Sequence, residues 1–394
     1  MSGAQMDQAV LVLNAGSSSL KFNLYQGTAE LLKGQVEGIG STSMRLKALR
    51  PSDGTRHEAA LGSSGAGHEA ALTSVLTLIR EGFGDLRIAA AGHRVVHGGT
   101  GFEAPAIIGG SVMAELERLV PLAPLHQPHN LAGIRAAQKA FPEALQVACF
   151  DTAFHRNHPW VNDAFALPLS LYDEGVRRYG FHGLSYEYIT QHLAETAPEA
   201  AKGRLIVAHL GNGASMCAIE DRHSIGSTMG FTALDGLPMG TRCGQLDPGV
   251  LLYLMQEKGM TAEAISDLLY KQSGLKGLSG LSQDMRELEA AGTEAARKAI
   301  DYFTFRVRRE MGAMAAILDG VDTIVFTGGI GEHAINVRRA VCAPLGWLGA
   351  DLDEGANRSS ARIISTPASR VTLMVVPTNE EEMIRRHTVK ALGE

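Results

Sequence analysis

The chain has 394 residues, 45 of them glycine, about 11 % against a usual share of roughly 7 %. It carries 36 Lys and Arg against 42 Asp and Glu, a formal charge of −6, so neither a basic nucleic-acid patch nor an acidic tail is indicated. Apolar residues spread along the whole length exclude a disordered chain, the glycines have no period of three and so exclude collagen, and the length predicts two or more domains.

In chain order, the first residues, Met1 to Gln8, lack the charged and apolar segments of a signal peptide. No run of 18 apolar residues follows, so a cytoplasmic chain without a membrane span is expected. Val10–Asn14 is predicted to be a buried strand entering the turn Ala15-Gly16-Ser17-Ser18-Ser19, with Leu20–Tyr25 leaving as a second strand. Glu69–Arg80 and Asn130–Ala140 have helical periodicity. The valines and glycines around Gly92–Gly99 favour a strand carrying His93 and His97 on one face, without the pattern of a zinc site. Cys149, Cys217, Cys243 and Cys342 form no C-x-x-C pair and read as buried reduced thiols.

About half the chain length after the first strand, the same pattern returns. Leu205–His209 is a strand, Leu210-Gly211-Asn212-Gly213 a turn and Ala214–Glu220 a second strand. The echo suggests two similar α/β halves. Asp247-Pro248 caps a helix through Glu257, and Thr293–Leu318 is the longest helix. Thr323–Thr327 is a strand, and Gly328-Gly329-Ile330-Gly331 opens a helix through Arg338 and Arg339. Asn379-Glu380-Glu381-Glu382 opens the last helix, where acids favour the dipole.

Three glycine turns each follow a strand, the setting in which backbone N–H groups meet phosphate. In the first, three serine hydroxyls and Lys21 suit phosphoryl oxygens, and Asn14 can orient a metal-bound water. Arg94, alone among apolar residues, is either a structural salt bridge or a fork for a small carboxylate or phosphate. Asp151, at a strand end, suits metal or acid–base work or a helix cap. His182 in Tyr179-Gly180-Phe181-His182-Gly183 and Arg242 in Met239-Gly240-Thr241-Arg242-Cys243-Gly244 are glycine-flanked, a pairing suited to the equatorial oxygens of a transferring phosphoryl group.

These segments, with Pro124-Leu125-His126, Phe150–His155, Phe326–Glu332 and Pro377–Glu381, occur in the order found in the acetate kinase (acetokinase) family, which the chain resembles over essentially its full length. The resemblance implies an α/β fold of two duplicated ribonuclease H-like (actin-like ATPase) domains flanking a nucleotide cleft. The boundaries implied are 1–150, with 381–394 packing back on it, and 151–380. It implies reversible transfer of the ATP γ-phosphoryl group to acetate, giving acetyl phosphate and ADP, with Mg²⁺ or Mn²⁺ in its place, in a homodimer.

By resemblance, Asn14 and Glu380 are the magnesium residues. Lys21, His209, Leu210, Gly211, Asn212, Gly213, Asp284, Met285, Arg286, Gly329, Ile330, Gly331, Glu332 and His333 are nucleotide contacts. Arg94 meets the substrate carboxylate, and Val96, Leu125, Phe181 and Ala233 form the acyl pocket. Asp151, His182 and Arg242 are catalytic, with Asp151 read as an organiser of the metal or the nucleophile. Three positions depart from the family: His333 replaces an asparagine, Ala233 a proline of the acyl pocket and Gln245 an acid. The alternatives are a propionate or other short-chain acid kinase on the same fold, and a non-catalytic nucleotide-binding regulator.

Overall fold

A computed structural model of the chain describes residues 8–393 apart from 17, 63–66, 85 and 125. Ser17 of the first glycine turn and Leu125 of the acyl-pocket set therefore lie outside the described residues. Two compact units are present, Met1–Ala153 with Asn379–Glu394, and Phe154–Thr378.

The first unit is built on one sheet of eight strands: β1 (Gln8–Ala15), β2 (Ser19–Gln26), β3 (Ala29–Glu37), β4 (Arg45–Leu49), β5 (Arg56–Ala60), β6 (Arg87–Val95), β7 (Ala106–Ile107) and β8 (Leu145–Phe150). Their order is β5-β4-β3-β2-β1-β6-β8-β7. β1 runs antiparallel to β2 and parallel to β6, and β6 runs parallel to β8. β1 is apolar almost throughout because both its faces are covered. Leu11 and Leu13 join a core with Leu72, Val75 and Ile79 of helix His68–Phe83 and Ala136 and Ala137 of helix Gln127–Ala140. Each fully buried Leu, Val or Ile contributes about 1.5–3 kcal/mol. The C-terminal helix Glu380–Ala391 lies close on β6 because Gly92 has no Cβ: one built there would stand 2.1 Å from Thr388 Oγ1 and 2.7 Å from Ile384 Cγ2.

The second unit carries β9 (Arg204–Leu210), β10 (Ala214–Glu220), β11 (His223–Ser227), β12 (Thr323–Thr327) and β13 (Thr372–Val375), in the order β11-β10-β9-β12-β13. β9–β10 and β10–β11 are antiparallel, and β9–β12 and β12–β13 parallel. That is the order and sense of β3-β2-β1-β6-β8 in the first unit, so the strand–turn–strand echo extends to a repeated five-strand sheet, the α/β pattern of the actin-like fold. Helix Gly183–Thr196 covers one face through Tyr186, Ile189 and Leu193. The long helix Glu294–Ile317 is capped by Thr293, whose side chain accepts from the Ala296 N–H.

Three local expectations are adjusted. The helix after Gly328 is two helices, Gly328–His333 and Ile335–Cys342, broken at Ala334, where ψ turns to 84°. β6 ends at Val95, so His97 lies beyond the strand and its Nδ1 accepts from the Gly99 N–H instead of sharing a face with His93. Cys243 is only half-buried, unlike the other three cysteines. No helix among the described residues is long and apolar enough to cross a membrane.

Candidate active site

In an open sheet, ligand-binding residues gather at the carboxyl ends of parallel strands, and the first unit places its singled-out residues there. Asn14 is the penultimate residue of β1, opposite Lys21 of β2, Arg94 is the penultimate residue of β6, and Asp151 follows β8 directly. Glu380 begins the C-terminal helix, whose N-terminus is capped by the Asn379 side chain accepting from the Glu382 N–H.

Arg94 is a fork on Asp151: Nε donates to Oδ1 at 2.9 Å and Nη2 to Oδ2 at 2.6 Å. Nη1 donates to Asn14 Oδ1 at 3.4 Å. Asp151 is 1 % exposed and Arg94 20 %. Burial pushes the Asp151 carboxyl up from its ordinary range, Arg94 opposes that rise, and Glu380 adds to it. Burial alone would lower the Arg94 guanidinium, but Asp151, Glu380 and Glu381 raise it above its ordinary value, so the cation is held. Of the two readings left open for Arg94, the salt bridge is present, and its three bonds leave two of the five guanidinium N–H donors for a ligand.

The strand ends are tied together by residues that the motif reading passed over. Asn130, 2 % exposed, accepts from the Val96 N–H at 3.0 Å and donates to the Ala15 carbonyl at 2.8 Å. Thr152 Oγ1 accepts from the Gly98 N–H, and His68 Nε2 bonds the Gly16 carbonyl at 2.7 Å. Nothing in the sequence marks Asn130 beyond a polar residue on the buried face of a helix.

In the second unit, His182 precedes helix Gly183–Thr196 in the left-handed region, φ 58°. Its Nδ1 meets Ser215 Oγ at 2.8 Å, Ser215 meets the Tyr186 hydroxyl at 2.5 Å, and the ring stacks on His209 with centroids 4.4 Å apart. Arg242 Nη1 donates to the Ala233 carbonyl at 2.9 Å. A Cβ on Gly213 would stand 3.3 Å from His182 Nε2 and 4.0 Å from Arg242 Nη1. The two side chains thus converge above the second glycine turn.

Beside that turn, Gly211, Asn212, Asp284, Met285, Arg286, Gly329, Ile330 and His333 line one cavity of about 550 Å³, together with Gln283, Glu289 and Ala334. Asp284 caps helix Met285–Ala291 by accepting from the Arg286 N–H, and the Arg286 side chain holds its carboxyl down to about 2. Leu210 is fully buried and Gly331 buried. Glu332 turns back, its Oε1 accepting from the N–H groups of Gly328 and Thr378. Arg338, fully buried, donates to the carbonyls of Gly331 and Glu332 and so closes the C-terminal end of the same short helix. His209 Nδ1 bonds Ser185 Oγ at 2.9 Å.

Of the acyl-pocket set, Val96 and Phe181 are buried, and Ala233 is partly exposed. Gln245, a departure from the family pattern, is exposed and accepts from Arg306 and Arg309.

The acetokinase family profile matches residues 9–386. The chain is 55 % identical to an acetate kinase of Methylocella silvestris, with 99 % of each chain covered. Among solved structures it is similar to Porphyromonas gingivalis acetate kinase, 40 % identical with a TM-score of 0.88 over 98 % of this chain and 100 % of that one. It is also similar to a propionate kinase from Francisella tularensis, 36 % identical with a TM-score of 0.92 over 97 % and 99 %. With a profile match and relatives of this identity over nearly the whole length, the chain belongs to the acetokinase family.

Proposed function

We propose that the chain is an acetate kinase, transferring the ATP γ-phosphoryl group reversibly to acetate. The observation that carries this reading is the convergence of His182 Nε2 and Arg242 Nη1 above Gly213, beside a cavity of nucleotide size. Acetate, with a pKa of order 4–5 like the side-chain acids, is already ionised at pH 7, so no general base is required. The task is to neutralise two anions. Arg94 pairs with the acid through its remaining N–H groups, with Asp151 fixing the guanidinium. His182 and Arg242 take the equatorial oxygens, which hold the charge of a loose transition state.

Magnesium takes oxygen donors and is commonly held by one or two carboxylates together with substrate phosphates and water. The donor chemistry fits: the Glu380 carboxylate acts on Arg94 and Asp151 electrostatically, and the Asn14 amide oxygen keeps a second lone pair beside its long bond to Arg94. Asn14 and Glu380 would hold the ion, which when bound supplies charge neutralisation at the phosphate oxygens.

A homodimer is supported by helix Pro248–Gln256, which buries none of its side chains and exposes Val250, Leu252, Tyr253 and Met255. A cytoplasmic setting suits four cysteines none of which forms a disulfide.

Trapping of the acyl phosphate with hydroxylamine tests the reading, run with acetate, propionate and butyrate and expressed as kcat/KM. Acetate should lead. Ala233 favours the second reading, a kinase for a longer acid, because a smaller residue there leaves room for one more methylene, a difference of about 10- to 200-fold at most. Propionate ahead of acetate would establish that second reading. No hydroxamate from any acid would leave a nucleotide-binding regulator.

A further inference from the structure

His155 is fully buried, 0 % exposed, and its hydrogen bonds can be assigned without ambiguity. Nε2 lies 2.9 Å from the Phe181 carbonyl oxygen, which only accepts, so Nε2 carries the proton. Burial pushes the imidazole down to about 4, so at neutral pH Nδ1 is a bare lone pair. It must accept the hydroxyl proton of Ser224, whose Oγ is 2.8 Å away. The Ser224 oxygen then accepts from His158 Nε2–H at 2.6 Å, and Cys217 Sγ lies 3.1 Å from it and 3.6 Å from the Ala218 carbonyl oxygen. Every proton in this chain has one direction, His158 to Ser224 to His155 to the Phe181 carbonyl.

The carbonyl where it ends belongs to the residue before His182. On the other side of Phe181, Gly180 (φ +73°) lies against the same ring: a Cβ there would be 2.6 Å from His155 Cγ and Cδ2. The ring therefore grips the backbone on both sides of Phe181 and faces Tyr186 edge-on, with centroids 5.6 Å apart. Tyr186 in turn reaches Ser215, which bonds His182 Nδ1. His182 is held in a left-handed conformation that a non-glycine residue adopts at a cost of about 1–3 kcal/mol, so something must over-determine it.

We infer that His155, with Ser224 fixing its tautomer, is a positioning residue that holds the Phe181–His182 backbone so that His182 Nε2 stays aimed above Gly213. The inference rests on the proposed role of His182 at the transferring phosphoryl group.

The test is a double-mutant cycle in kcat. His155→Ala should lower kcat by about 10- to 100-fold, less than the 10²- to 10³-fold typical of removing such a donor outright, with the KM for ATP within about two-fold of wild type. His155→Gln, whose side-chain amide can still donate to the Phe181 carbonyl, should recover most of that loss. Ser224→Ala should give a smaller loss in the same direction and provides the cycle if His155→Ala does not fold. In a His182→Ala background neither substitution should lower kcat further, because residues acting as one unit are not additive. Losses that multiply with that of His182→Ala, or an unchanged kcat in both single variants beside a slow His182→Ala enzyme, would overturn the role of His155 alone. A His182→Ala enzyme with normal turnover would overturn the reading of His182 and this inference together.

Discussion

Arg94 and Asp151 meet through two hydrogen bonds, 2.9 and 2.6 Å long, at the ends of neighbouring parallel strands. The pair is well shielded from water, so breaking one side leaves an uncompensated charge, at a cost of about 3–5 kcal/mol. Asp151→Asn keeps the volume and one acceptor, removes the charge and frees the guanidinium to swing. Arg94→Ala and Asp151→Asn should therefore share a signature: a raised KM for acetate and reduced kcat/KM, with little change in the KM for ATP. Initial rates at saturating ATP give the comparison. Asp151→Asn with a normal acetate KM would show that Asp151 does not act by holding Arg94.

Gly213 sits under the point where His182 and Arg242 converge. Its φ is not in the left-handed region, so alanine is tolerated by the backbone. The added methyl would press on His182 Nε2 and occupy the space for a phosphoryl oxygen. Gly213→Ala should change stability by no more than about 1 kcal/mol while lowering kcat at least about 100-fold. A thermal melt beside a turnover assay separates the two. A folded Gly213→Ala enzyme with near-normal kcat would remove this turn from the reaction.

Arg242→Ala removes a cation from the same place while leaving Gly213 as it is. Turnover should fall about 10²- to 10⁵-fold, the range seen for positive groups on transferring phosphates, and the KM for ATP should move far less. The Ala233 carbonyl loses a donor, so a small change in acid preference is expected alongside. An enzyme that lost ATP affinity and kept its kcat would assign Arg242 to ground-state nucleotide binding.

What the sequence makes legible is local. A buried strand running into a glycine turn is set by a few adjacent residues, and β1–β2 and β9–β10 can be read from Val10–Tyr25 and Leu205–Glu220. The helix start with a capping side chain at Asp247 is equally local. The partners of the site residues are not. Arg94 and Asp151 are 57 positions apart, Asn130 and Ala15 115, and Ser185 and Thr378 193. Only the parallel crossovers bring such pairs together, and no spacing rule encodes them. The helix break at Ala334 carried no Gly or Pro signal, since the buried Arg338 takes up the carbonyls released there.

Buried histidines, His93, His155 and His158, contribute to the acid limb of stability. Burial pushes His93 and His155 each down to about 4, while in the unfolded chain they titrate near their ordinary value of about 6.5. Between those values the unfolded state binds protons that the folded state does not, so stability rises with pH there and is lost as pH falls from about 6.5 through about 4. The loss is on the order of 3 kcal/mol for each of His93 and His155. His93 bonds Gln146 Oε1 at 2.8 Å through Nε2, and a glutamine at 93 can make a similar bond without titrating. Denaturant midpoints measured at several pH values between 7.5 and 4 should therefore fall less steeply for His93→Gln than for wild type. Parallel curves would mean that His93 is protonated in the folded protein as readily as in the unfolded chain, and that its burial does not exclude the charge.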